Sequence, residues 1–165
     1  MSRPVYLSIL IVGSWHPTLH KTTDGAQTWQ ALPTSPAPIQ RLWIDDLNPG
    51  TIYAIGGGKL YNNSDGGASW VQIGQALPNS QAITVFTVFI IDPRNPQRMY
   101  LGMDGEGVFA TGDGGQNWRP LNEGLLDKRV RALAVDPSNS SHIFAGTADL
   151  GVFDITIQQR SRRRP

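Results

Sequence analysis

Thr111-Gly112-Asp113-Gly114-Gly115-Gln116-Asn117-Trp118 has two gapless counterparts upstream. They are Thr22-Thr23-Asp24-Gly25-Ala26-Gln27-Thr28-Trp29 and Asn63-Ser64-Asp65-Gly66-Gly67-Ala68-Ser69-Trp70, and the aspartate stands five residues before the tryptophan each time. The three aspartates are separated by 41 and 48 residues. Asp-Gly is a strong hairpin signal. Glycine accepts a positive φ, and an aspartate carboxylate accepts bonds from backbone N–H groups just ahead of it. The tryptophan opens the returning strand, where a large ring can be buried. The constant spacing predicts that the three rings occupy equivalent places.

Working outward, a second signature interleaves with the first. Asp45, Asp92 and Asp136 each follow an apolar pair, an asparagine comes three residues later, and Tyr53, Tyr100 or Phe144 comes eight later. These positions predict Asx-type turns at strand ends. Between the signatures the chain reads as short strands, for example Val85–Ile91, Met99–Gly102, Val108–Thr111 and Trp118–Leu121. The proline of Asp92-Pro93 suits a strand end because it cannot donate to a ladder. Four short antiparallel strands repeated every 40–50 residues point to an all-β, β-propeller-type array of about four blades. The units are placed at about 5–32, 39–77, 83–125 and 130–157. The first lacks its innermost strand. The last has strands at Arg131–Val135, Ile143–Gly146 and Val152–Ile157, then loses its Asp-Gly motif and outer strand. Residues 159–165 are expected to be a basic, disordered tail.

Composition agrees with this reading. Within 165 residues there are 18 glycines and 12 prolines, with only 16% charged residues. No cysteine is present, which excludes disulfides, cysteine-zinc sites and thiol catalysis. No apolar run is long enough for a transmembrane helix. The net charge of +1 depends on Arg160, Arg162, Arg163 and Arg164; without these four the balance is −3. A basic nucleic-acid groove is therefore not indicated. The apolar run Val5–Val12 after Arg3 reads better as a strand of the repeat than as a signal peptide, since Gly13-Ser14-Trp15 is a poor cleavage site. The compartment stays open.

The three eight-residue segments resemble the Asp-box, or BNR, repeat, Ser/Thr-x-Asp-x-Gly-x-x-Trp. The third segment matches fully, the second has Asn63 at the leading position, and the first has Ala26 at the glycine position. The resemblance covers about residues 5–155 and implies a propeller of the sialidase, xyloglucanase, sortilin or photosystem II assembly-factor type. In those families the motif is a surface hairpin away from the active site. The resemblance therefore implies structural roles for Asp24, Gly25, Trp29, Asp65, Gly66, Gly67, Trp70, Asp113, Gly114, Gly115 and Trp118.

Chemistry is sparse. A glycoside hydrolase usually needs two carboxylates flanking the scissile bond, and the chain has 11 aspartates and two glutamates. Asp104 and Glu106, on one hairpin turn, and Asp149, on the comparable turn of the last unit, are the best catalytic candidates. The plainer reading of Asp104-Gly105-Glu106-Gly107 is a solvated turn. The Arg-Ile-Pro motif of sialidases and the Gly-Gly-Ala-Tyr-Arg-Trp segment of xyloglucanases are absent. His16, His20 and His142 are scattered, so no metal site or cofactor is expected. Gly56-Gly57-Gly58 is not followed by the Lys-Ser/Thr of a phosphate loop. The chain is expected to be a non-catalytic binding or scaffold module for a protein or glycan partner. The alternative is a truncated glycoside hydrolase. The incomplete end units predict self-association.

Overall fold

The computed structural model describes residues 8–11, 19–22, 24–33, 38–45, 48, 50–74, 77 and 86–157. Among them are fourteen strands and no helix, so no helix is long and apolar enough to cross a membrane. The strands form four antiparallel sheets. The first holds β1 (Ser8–Ile11), β2 (Leu19–Thr22) and β3 (Gln30–Ala31). The second is β4 (Ile39–Ile44), β5 (Ile52–Gly56), β6 (Lys59–Asn63) and β7 (Val71–Ile73). The third is β8 (Phe86–Ile91), β9 (Met99–Met103), β10 (Gly107–Thr111) and β11 (Arg119–Pro120). The last is β12 (Val130–Val135), β13 (His142–Thr147) and β14 (Val152–Thr156). Every sheet is a meander in sequence order, with three strands in the first and last and four in the middle two. This is the all-β, propeller-type partial array that the repeat predicts. The expected 159–165 tail, His16 and most of the Val5–Val12 run lie outside the described residues.

The chain divides into two compact units, Met1–Gln75 and Ala76–Pro165, each with two sheets. In the N-terminal unit all five residues of β5 are buried. In the C-terminal unit the same holds for β9 and β10. Strands buried on both faces read as continuous apolar runs, and Met99-Tyr100-Leu101-Gly102-Met103 is such a run. The first strand of three sheets carries a register shift near its start, between Ile39 and Arg41, Phe86 and Val88, and Val130 and Ala132. One residue is thereby left out of the alternation, which bends the strand and re-aims its first side chain.

The Asx-type turns form as expected. In each, the aspartate N–H bonds back to the start of the next strand: Asp45 to Thr51 O, Asp92 to Arg98 O and Asp136 to His142 O, at 2.9–3.0 Å. The carboxylates accept from nearby backbone N–H groups, with Arg94 N to Asp92 Oδ1 at 2.9 Å and Ser138 N to Asp136 Oδ1 at 2.7 Å. Asp92 does more than close its turn. Its Oδ1 also accepts from Ser140 Oγ at 2.9 Å, Tyr100 Oη donates to Ser140 O at 3.3 Å, and Arg94 Nη1 donates to Ser138 O at 2.8 Å. These three bonds join the β8–β9 loop region to the β12–β13 loop and align the two sheets of the C-terminal unit.

The core of that unit lies between those sheets. Tyr100, Val108 and Ala110 pack with Val130, Ile143, Ala145 and Ile155, flanked by Val88, Ile90, Leu133, Val135 and Phe153. Gly102 lets the sheets approach. A Cβ there would stand 2.6 Å from Val88 Cγ1 and 2.8 Å from Val130 Cγ1.

Candidate functional site

The three Asp-Gly turns share one hydrogen-bond plan. Asp24 Oδ1 accepts from the N–H groups of Gln27 at 3.0 Å and Thr28 at 2.9 Å, and its Oδ2 accepts from Thr28 Oγ1. Asp65 Oδ1 accepts from Ala68 N at 2.9 Å and Ser69 N at 3.0 Å, with Ser69 Oγ on Oδ2 at 2.6 Å. Asp113 takes Asn117 N at 2.9 Å and Asn117 Nδ2 at 2.7 Å. The leading residue works from the other side. Thr111 Oγ1 donates to Asp113 Oδ1 at 2.7 Å and accepts from Gly115 N at 3.1 Å, and Thr22 does the same with Asp24 and Ala26 N. Asn63 replaces the hydroxyl by dividing the work, its Nδ2 donating to Asp65 Oδ1 and its Oδ1 accepting from Gly67 N. The polar residue before each tryptophan, Thr28, Ser69 or Asn117, completes the plan. Sequence reading passed over it because three different side chains fill one donor role.

The plan needs two consecutive left-handed residues. They are Gly66 and Gly67 at φ 69° and 104°, and Gly114 and Gly115 at 73° and 91°. In the first turn they are Gly25 at 75° and Ala26 at 72°. A Cβ in this region costs roughly 1–2 kcal/mol. Ala26→Gly is therefore expected to stabilise the chain by about 0.5–1 kcal/mol after the greater freedom of unfolded glycine is subtracted. A raised urea midpoint at unchanged slope is the expected readout, and an unchanged midpoint would show the turn to be unstrained.

These bonds hold all three carboxyls at about 2, against 3.8 for a free aspartate. The main causes are the Thr28 hydroxyl and N–H for Asp24, the Ser69 hydroxyl and N–H for Asp65, and the Asn117 N–H and side-chain amide for Asp113. Because the folded values lie below the unfolded one, the stabilisation is complete above about 3.8. It is lost as pH falls through about 2. Thermal melts should show the midpoint dropping across that window, and Asp113→Asn should make the dependence shallower. A midpoint flat across the window would contradict these bonds.

The tryptophans do not occupy equivalent places. Trp118 is 9% exposed, and its Nε1 donates to Gly115 O at 3.0 Å. Trp70 is half-buried, and Trp29 is 40% exposed. The motif sets where a ring leaves the backbone, but burial depends on what packs over it from elsewhere.

The candidate acids gather in part. Asp104 ends the strand-pairing of β9, pairing in a bridge with Arg129, and its Oδ2 is 3.0 Å from Arg131 Nη1. Asp149, on the β13–β14 turn, meets Arg129 Nη2 through its carboxylate, and its N–H donates to Asp127 Oδ2 at 3.0 Å. Glu106 is exposed, on the turn whose carbonyl accepts from Asn122 Nδ2 at 2.8 Å, and it does not line the cleft described next. Asp127 was not singled out from the sequence, since it falls in the linker between sheets. It is the one buried acid of the group, and its Oδ1 accepts from Arg129 N at 2.9 Å and from Arg129 Nε at 3.2 Å. The N–H of Arg129, then that of Asp149, then the guanidinium, hold its carboxyl below the ordinary range.

Around this network is an open cleft of about 500 Å³ lined by Gly105, Leu126, Asp127, Lys128, Arg129, Asp149 and Leu150. Leu126 is 79% exposed and Leu150 is also exposed, so the ion pairs share the cleft with two exposed apolar side chains. Among the described residues no three His, Cys, Asp or Glu side chains come together as a metal site. His142 instead stands 3.3 Å from Asp154. Gly56-Gly57-Gly58 turns the β5–β6 hairpin, with Gly57 and Gly58 at φ 58° and 72°.

No protein-family model and no curated protein sequence matches the chain. Solved structures do. A GH74 enzyme of Niastella koreensis superposes with a TM-score of 0.66 at 18% identity, over 84% of this chain and 24% of that one. The GH74 xyloglucanase from Xanthomonas campestris gives 0.60 at 16%, over 78% and 22%. YCF48 bound to D1 peptide gives 0.66 at 14%, over 95% and 49%. The chain thus spans about a quarter of the GH74 enzymes and about half of YCF48. At these identities the likeness is one of architecture, and the chain has the β-propeller type of fold.

Proposed function

We propose that the chain is a non-catalytic binding module that receives a segment of a partner protein at the Leu126–Leu150 cleft. The observation that carries this reading is the pairing of Asp104, Asp127 and Asp149 with arginines, while Glu106 lies outside the cleft. Asp104 is engaged by Arg131, while Asp127 and Asp149 share Arg129. A glycosidase acid must hold its proton near neutral pH, which requires a raised carboxyl, whereas Asp127 is pushed the other way. Asp24, Asp65 and Asp113, at about 2, are equally unsuited to donate a proton and act as staples of their turns. What the cleft offers is a set of paired charges beside two exposed leucines, the mixed polar and apolar chemistry that receives a peptide. One structural neighbour is described as bound to a peptide, which accords with this use of the fold.

Selection of a displayed random-peptide library on the folded chain tests the reading. Enriched peptides should lose binding to a Leu126→Asp, Leu150→Asp double variant. Selection of no sequence, or of peptides indifferent to that variant, would argue against the cleft. The second reading, a portion of a larger glycoside hydrolase, is favoured by the likeness to GH74 enzymes. Turnover of xyloglucan or an aryl-glycoside, lost in Asp149→Asn or Asp104→Asn, would establish it in place of the first.

A further inference from the structure

Leu125-Leu126-Asp127-Lys128 leads into β12 with side chains alternating inward and outward. Leu125 and Asp127 are buried, whereas Leu126 and Lys128 are exposed and line the cleft. Hydrogen bonds hold the segment on both sides. The Lys128 carbonyl accepts from Gly105 N at 3.1 Å and Gly107 N at 3.0 Å, and the Asp127 carboxylate accepts from the N–H groups of Arg129 and Asp149. An apolar side chain and an ammonium thus stand two residues apart on one side of an anchored backbone. The two carboxylates of the cleft are both on Arg129. The Lys128 ammonium has no hydrogen-bond or ion-pair partner among the described residues.

Resting on the reading of this cleft as a peptide site, we propose that the segment it receives is acidic. A carboxylate of the partner pairs with Lys128, and an adjacent apolar side chain packs on Leu126 and Leu150. Charge complementarity favours this class of partner. An arriving carboxylate meets an ammonium with no competitor. An arriving lysine or arginine would have to share Asp127 or Asp149 with the guanidinium already on them. Both oxygens of Asp127 are also taken by N–H groups of its own chain. An exposed ammonium adds modest affinity but selects the sign of its partner, since a like charge set against it is repelled.

The exposure of Leu150 belongs to its place in the repeat. Gly102 pairs with Val108 and Gly146 with Val152, so Leu150 corresponds to Glu106 one repeat earlier. The segment before β12 packs on that earlier hairpin through the Lys128 carbonyl, yet Glu106 stays exposed. A hairpin tip at this position therefore projects past the segment that packs on it. Leu126 and Lys128 lie in the linker between two described sheets, β8–β11 and β12–β14.

Selection of a displayed random-peptide library on the whole chain, in parallel with Lys128→Glu, tests the charge separately from the cleft. Peptides enriched on the native chain should carry Asp or Glu beside an apolar residue, and their affinity should fall as salt screens the pair. Lys128→Glu should weaken them roughly tenfold or more, and should itself select peptides with Lys or Arg in place of the acid. Lys128→Gln, which adds no charge, should weaken them severalfold and carries the test if Lys128→Glu loses its cooperative melt. Peptides that need Leu126 and Leu150 but show no excess of acids, or that bind the Lys128 variants equally well, overturn this inference and leave the cleft a peptide site. Peptides indifferent to the two leucines, or no peptides at all, overturn both.

Discussion

Trp118→Ala is expected to lower the stability of the C-terminal unit by about 3–5 kcal/mol, the usual cost of deleting a buried aromatic. The ring is 9% exposed, and its Nε1–H is bonded to Gly115 O. Truncation therefore leaves a void and removes a bond that holds the second left-handed residue of the turn. Trp29→Ala, the same motif position on a ring exposed to solvent, is expected to cost no more than about 1 kcal/mol. Trp70→Ala should fall between them. Urea unfolding followed by far-ultraviolet circular dichroism avoids reading the signal from the residue being deleted. Equal losses at Trp29 and Trp118 would mean that the motif buries all three rings alike.

Tyr100→Ala is expected to cost a similar 3–5 kcal/mol, while Phe144→Ala, one repeat later, costs less than about 1 kcal/mol. Tyr100 is fully buried in the core between the two sheets of its unit, and its hydroxyl donates to Ser140 O. Removal opens a cavity and unties one of three bonds between the β8–β9 and β12–β13 loops. Phe144 has the same place in its strand but is 37% exposed. A large loss from Phe144→Ala would show that its face is already packed. A small loss from Tyr100→Ala would show that the sheets are held chiefly by their loops.

These contrasts bear on how far the residues alone could be read. The turn chemistry was legible because its partners are close in sequence. Asp113, Thr111, Gly115 and Asn117 lie within seven residues, so the spacing already contains the hydrogen bonds. Ala26 could be marked as the odd residue before its φ of 72° was known. The bond that Asn63 makes in place of a hydroxyl was less evident, since an amide and a hydroxyl share little except the ability to donate and accept. The acids were legible only as turn residues. That Asp149 and Asp127 meet on one guanidinium, and that Asp104 turns to Arg131, depends on residues up to 27 positions apart. No spacing rule connects a linker aspartate to a hairpin.

The sequence by itself determined the all-β class, the order of strands within each sheet and the two recurrent turns. All of these follow from periodic apolar residues and from glycine, proline and aspartate acting on their immediate neighbours. Only the tertiary structure decided which tryptophan is buried and which carboxylates are neutralised by arginine. Each of those depends on what another repeat places within a few ångströms. Similar local motifs therefore meet different surroundings, and burial and charge pairing differ from one repeat to the next.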